Sequence, residues 1–286
     1  MVLERTTERL RETSVPLIQE DGSVHLSGTN FSAIDMWLRC GKQYEFRYVN
    51  GQRQKPGIAL AEGTGHHHAV ELDNKSKKEH GKQLKPAHMV ELFQSKFDEE
   101  VAGFEKQCEE DKYILDWRGD TRDGILKRGK TLQTEYVRDY SHTIQPDIIE
   151  EPFIREVEVD GVEFKLFGQT DLTTKTHLLD YKTSKRKKSQ GDIDNHLQLS
   201  LYSWAKKMKK VGLVVFVKEK PHIQYIESTR TAGQWMYALK VVASAVKSIR
   251  QGSFPLTNPG QFPPPWWCSP TFCGYWKDCR GKFEKK

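Results

Sequence analysis

Between residues 148 and 182 apolar and polar side chains alternate with a period of two, and the strongest turn signal inside that stretch is the dipeptide Asp160-Gly161. The spacing predicts strands over residues 154–159, 162–167, 170–173 and 178–181. Consecutive strands of this kind need helices to cover them, and the chain supplies helical periodicity on both sides. Ser27, Thr29 and Asn30 offer capping groups ahead of a helix over 31–40. Further helices are expected over 62–78, 87–107 and 123–143, the second of these with Val90, Leu92, Phe93, Phe97 and Phe104 as its buried stripe. After the strands come a helix over 192–210, strands over 211–217 and 222–227, and a last helix over 232–250. Beyond Gly252 the chain is rich in Pro, Gly, Trp and Cys and loses all period, so something other than regular structure must pin it. The expectation is an α/β fold with a central mixed sheet and helices on both faces. Its parts are an N-terminal arm (1–26), a helical section (27–145), a core (146–251) and a cysteine-clipped C-terminal tail (252–286).

Composition narrows the function classes. With 36% hydrophobic and 29% charged residues among 286, the chain can bury a core and keep a heavily solvated surface. A formal charge of +6 carried by grouped lysines favours a polyanionic partner. The first twenty residues hold Arg, Glu and Thr and no apolar segment of a signal peptide. The longest apolar stretch, 211–217, is far short of the roughly 20 residues that a membrane helix needs. A cytoplasmic protein with no membrane span is therefore expected. Five cysteines, three of them at positions 268, 273 and 279, make a poor disulfide plan and in a reducing compartment point to metal.

Two short segments carry the chemistry: Gly168-Gln169-Thr170-Asp171, and Leu178-Leu179-Asp180-Tyr181-Lys182. Adjacent strands joined by a short turn can bring Asp171 and Asp180 to one end of a sheet, where two carboxylates repel unless a cation separates them. Magnesium or manganese held there can bind a phosphate oxygen, orient a water and lower its pKa. Lys182, two residues from Asp180 and on the same strand face, would add positive charge beside the attacking water. Phosphodiester hydrolysis is the chemistry such a set performs. Taken alone, an Asp-x-Lys is more often a pair of surface charges on a strand.

These segments resemble the two central motifs of the PD-(D/E)xK nuclease superfamily. Its RecB-like exonuclease branch adds an upstream Gly-xxx-His-xxx-Glu helix, matched by Gly63, His67 and Glu71, and a downstream Gln-xxx-Tyr helix, matched by Gln198 and Tyr202. The resemblance runs from about Phe31 to Cys279. It implies a restriction-endonuclease-like fold and a DNA exonuclease dependent on Mg2+ or Mn2+. His67, Asp171, Asp180 and Tyr181 would serve the metal, Lys182 the water and transition state, and Gln198 and Tyr202 the substrate, with Glu71 orienting or touching metal. His66 and His68 are rivals to His67, and the register Gly63 plus four selects His67. A Tyr202 packed in the core beside Leu197, Leu201 and Trp204 is the alternative for that helix.

Cys40 lies far upstream of Cys268, Cys273 and Cys279. The resemblance implies a [4Fe-4S] cluster on these four, as in phage, AddB and CRISPR-associated relatives, with an all-cysteine zinc site as the alternative. The ending C-x5-C follows that pattern; the C-x4-C before it and Gly41, where the family usually has proline, depart from it. Closing a loop from the first helix to the tail would fix the irregular end of the chain. Cys108 reads as an ordinary thiol.

The run Lys185, Arg186, Lys187 and Lys188 follows Lys182 directly and could grip phosphates at the mouth of the site. The expected partner is DNA with single-stranded character or free ends, together with a recombinase or nuclease-complex protein. Trp266, Trp267 and Trp276 are read as packing around the metal clip or stacking on unpaired bases. Gly124-Ile-Leu-Lys-Arg-Gly129-Lys130-Thr131 fits the phosphate-loop pattern by letter, but no buried strand precedes it, and an ordinary basic helix is expected there.

Overall fold

Asn30 has extended backbone and its side chain accepts from the Ala33 amide, so the first helix begins where the capping residues place it: α1, Phe31–Arg39. The structure, a computed structural model, describes residues 16–284 apart from 53, 55, 56, 111, 259 and 262–264. Residues 1–15 of the expected arm lie outside the described residues. The rest of it forms a small hairpin, β1 (Leu17–Ile18) against β2 (Val24–His25). Short β3 (Gly28–Thr29) follows, and α2 (Gly41–Tyr44) continues α1 with a π turn over Glu45–Val49.

The remaining helices are α3 (Ile58–His80), α4 (Pro86–Glu110), α5 (Arg122–Glu135), α6 (Gln190–Asp194), α7 (Leu197–Lys206) and α8 (Ala232–Arg250). The strands are β4 (Ile148–Val159), β5 (Val162–Thr173), β6 (His177–Ser184), β7 (Lys210–Val217) and β8 (His222–Thr229). Strand order is β3-β5-β6-β7-β8 with β4 paired to β5, a six-stranded sheet mixing parallel and antiparallel neighbours. This is the mixed central sheet with flanking helices that the alternation implied. Asp160 and Gly161, with φ of 51° and 74°, make the tight turn between β4 and β5.

Several expected boundaries shift: the strand expected from 154 starts at Ile148, and the helix expected to 143 ends at Glu135 and passes into a π turn over Tyr136–Tyr140. The break between residues 167 and 170 is absent, because Val162–Thr173 stays paired throughout as one strand. The single helix over 192–210 is two helices: Asn195 caps α6, His196 is extended, and Lys207 at φ 56° ends α7 before β7 starts at Lys210.

The chain forms two compact units, each from discontinuous segments. One draws on residues up to 55, 152–168 and 236 onward. In it Arg250 of α8 donates to the carbonyls of Leu26 and Glu163, and Trp37 donates to Ser253. The other comprises 56–151 and 169–235. Here α3, α4 and α5 bury Ile58, Val70, Met89, Phe93, Phe97, Ile125 and Leu132 against Leu172, Leu179, Tyr181, Val214 and Phe216 of the sheet. Alternation along β6 sends Leu178, Asp180 and Lys182 to the opposite face, and α7 packs against β6 and β7. No helix among the described residues is long and apolar enough to cross a membrane.

Candidate active site

In the antiparallel β5–β6 pair Leu172 lies opposite Leu179, and one step further along that register sets Asp171 beside Asp180. Asp171 Oδ2 accepts the Tyr181 amide at 2.8 Å. Asp180 is almost completely buried, at 2% exposed, and its Oδ2 has no aligned hydrogen bond although the Lys182 ammonium stands 3.0 Å away. Lys182 keeps a third of its side chain exposed, so it reaches from the sheet into open space.

Helix α3 brings His67 to this pair. Its Nδ1 is 3.8 Å from Asp171 Oδ2, and its ring donates to the Tyr181 backbone carbonyl. His66, the next residue, turns the other way: it is fully buried, stacked on Phe93 at 4.4 Å and near Phe216 at 4.7 Å, with Gln133 at 2.9 Å from its Nδ1. The Tyr181 side chain also points away, its hydroxyl accepting from Asn74, so only its backbone faces the carboxylates. Glu71 is held by Lys75, one turn along α3. On α7, Tyr202 is buried, is hydrogen bonded to Gln198 and to the backbone of Gln169, and feels the charge of Asp180.

Burial raises the pKa of Asp171 and of Asp180; Lys182 opposes both shifts, and Asp171 pushes Asp180 further up. Burial works against the charge on Lys182, yet Asp180 and Asp171 outweigh it and hold its pKa above the ordinary lysine value. Desolvation keeps His67 low. Two buried, mutually opposed carboxylates suit a hard divalent cation. Magnesium ordinarily takes one or two carboxylates and completes its shell with waters and substrate phosphates rather than an all-protein cage. Among the described residues, no group of three or more His, Cys, Asp or Glu side chains, the cysteines included, is arranged to hold a metal ion by itself. Asp171, Asp180, the Tyr181 carbonyl and His67 are the groups that could contribute.

Two further residues stand at this site without having been anticipated. Glu150, in β4 with φ at 50°, is driven up to about 8 by burial, then by Asp171 and Glu71, and its carboxylate accepts from Gln169 at 2.6 Å. His196, the N-cap residue of α7, is pushed down to about 4 by burial and lies within the field of Asp180 and Lys182. Neither falls in a motif. The one sequence signal for Glu150 is a carboxylate pair, Glu150-Glu151, inside an otherwise alternating strand.

The basic run after β6 has Lys185, Arg186 and Lys187 exposed. Its backbone is fastened by Gln224, which exchanges two 2.8 Å hydrogen bonds with Lys188, while Arg186 pairs with Glu219 at 3.3 Å. The phosphate-loop lookalike is helix α5 itself, capped by Thr121 and packed through Gly129 on Phe93.

In the other unit Cys40, Cys268, Cys273 and Cys279 all line one cavity of about 210 Å3, with Lys42, Gln43, Phe46, Tyr275 and Trp276 among its other walls. All are free thiols. Burial raises the pKa of Cys273 and Cys279, and the neighbouring thiols add to it. Cys108 is buried on α4, away from this group in the sequence and in the core of the other unit.

Among solved structures, that of SSO0001 is similar at 16% identity and a TM-score of 0.36, covering 74% of this chain and 94% of that one. Rai1 of Scheffersomyces stipitis is similar at 11% identity and a TM-score of 0.26, covering 86% and 79%. Overlaps this partial carry no argument about the chain. No curated protein sequence matches it. The family model of the PD-(D/E)XK nuclease superfamily matches residues 29–280, nearly the whole length, and the chain belongs to that superfamily.

Proposed function

We propose that the chain is a metal-dependent deoxyribonuclease of the RecB-like branch, hydrolysing DNA phosphodiesters from an end. The observation that carries this reading is the buried Asp180 carboxylate, set beside Asp171 and within 3.0 Å of the Lys182 ammonium. A divalent cation, Mg2+ or Mn2+, would bind Asp171, Asp180, the Tyr181 carbonyl and His67, and would supply Lewis acidity at a phosphate oxygen. Lys182 then stabilises charge on the attacking water and the pentacovalent state. Gln198 and Tyr202 position the scissile phosphate, Glu71 steadies the His67 helix, and Lys185, Arg186, Lys187 and Lys188 hold the backbone of a strand with single-stranded character or a free end. Recombination, repair or CRISPR-related processing in the cytoplasm, beside a recombinase or nuclease partner, suits such an activity.

The second part of the reading is a [4Fe-4S] cluster on Cys40, Cys268, Cys273 and Cys279. Four sulfurs on the wall of a 210 Å3 chamber support it. Its role is mechanical: tying α1 to the tail beyond Gly252 removes freedom from the unfolded chain. The segmentation into a helical section, a core and a clipped tail belongs to the same proposal.

The test is digestion of end-labelled linear DNA and of matched circular DNA with Mn2+, with EDTA, and by Asp180→Asn and Lys182→Ala. The expected outcome is loss of linear cleavage in EDTA and in both variants by at least about 100-fold, with circular dichroism and DNA binding retained. Cleavage of circles assigns an endonuclease instead. DNA binding without cleavage at any Mn2+ concentration would sink the enzyme reading.

A further inference from the structure

Gln43 sits on the wall of the cysteine-lined cavity and is 5% exposed. Its amide Nε2 is 3.4 Å from Cys273 Sγ and donates to it, although 230 positions separate the two in the chain. Cys40 and Gln43 are three apart at the start of α2, so one helical turn delivers a sulfur and a donor to the same cavity.

The other sulfurs have donors too. The backbone amide of Tyr275 reaches Cys273, that of Arg280 reaches Cys279, and the Arg280 side chain reaches Cys268. The Arg280 guanidinium is itself held over the Trp276 ring at 5.1 Å and by Glu284 at 2.7 Å. Gln43 and the four sulfurs line the same cavity, and groups that hydrogen bond to metal ligands fix their orientation and raise metal affinity.

We infer that Gln43 is a positioning residue that fixes the Cys273 sulfur for a metal centre, and that the Arg280 side chain does the same for Cys268. The inference rests on the metal-centre reading given above.

The experiment uses the full chain purified without oxygen. Iron, sulfide and zinc are counted first; release is then timed with bathophenanthroline for iron or pyridylazoresorcinol for zinc. Gln43→Met keeps the length of the side chain and removes the donor, and Gln43→Glu replaces the donor with a negative charge against the Cys273 sulfur. Both are expected to weaken metal retention by about 10–100-fold at unchanged circular dichroism. Arg280→Met, whose side chain lies nearer the surface, provides a second reading if the Gln43 variants fold poorly, with an effect in the same direction. Wild-type retention in Gln43→Met and Gln43→Glu overturns the role of Gln43 and leaves the metal centre standing. A wild-type chain that carries no metal overturns both. Zinc in place of iron overturns the iron assignment alone, and the release ratio decides Gln43 in the same way.

Discussion

A methyl group added to Gly41 would come within 2.5 Å of Pro255 Cδ, 2.6 Å of its nitrogen and 2.7 Å of the Phe254 carbonyl carbon. The tail after α8 crosses the chain here, directly after Cys40, and only a residue without a side chain lets it through. Gly41→Ala must push backbone against backbone, so it is expected to cost about 1–3 kcal/mol and to loosen the segment around 253–257. Limited proteolysis of the wild type and the variant checks this; equal resistance would refute the steric account. The histidine run makes a related point. Three adjacent imidazoles on α3 differ in fate because successive helix positions turn about 100° apart, sending His66 between Phe93 and Phe216 and His67 toward Asp171.

At the scale of elements, α3 and α5 fix the site by packing tightly around α4. A Cβ on Gly129 of α5 would lie 2.0 Å from the Phe93 ring, and one on Gly65 of α3 would lie 3.1 Å from the same ring. Glu62 of α3, fully buried, is held by both arms of the Arg128 guanidinium from α5, with Asp120 and Lys218 completing the network. Phe93 also stacks on His66, so overpacking at Gly129 is transmitted toward the helix turn that carries His67. Gly129→Ala is predicted to destabilise by about 1–3 kcal/mol, read as a lower urea midpoint, although alanine is the better helix former by about 1 kcal/mol. Combining it with Phe93→Leu should recover part of that loss. A stabilised Gly129→Ala variant would mean that the helices separate freely.

At the scale of the whole molecule, buried imidazoles set the acid limit. Burial first, then the charges of His67, Arg128 and Lys218, drive His66 down to about 3, and burial drives His196 down to about 4. Both pKa values are below the 6.5 of an unfolded histidine, so the unfolded chain binds more protons between those limits. These two imidazoles therefore withdraw stability as pH drops below about 6.5, the His66 contribution being fully lost near pH 3, while Glu150, held up at about 8, acts in the opposite direction over the same range. Urea midpoints from pH 7.5 to 4 isolate the His66 part by difference: His66→Leu, which keeps an apolar group between the two rings, should lose less stability on acidification than the wild type. An unchanged slope in the variant would remove His66 as the cause.

The sequence by itself determined the α/β class, the Asp160-Gly161 hairpin, and the strand face shared by Asp180 and Lys182. These follow from local rules: periods of two and 3.6, turn residues that tolerate positive φ, and alternation along a strand. Motif order made the cysteines and the Gly63, Asp171, Asp180 and Gln198 segments legible as well. Tertiary structure alone decided that Glu150 joins the carboxylates, that His196 faces Asp180 and Lys182, and that Gln43 touches Cys273. It also decided that Val162–Thr173 runs unbroken and that the helix after it splits at His196. Such contacts join residues tens to hundreds of positions apart, and they depend on which strands pair and which helix covers them, information that no local period contains.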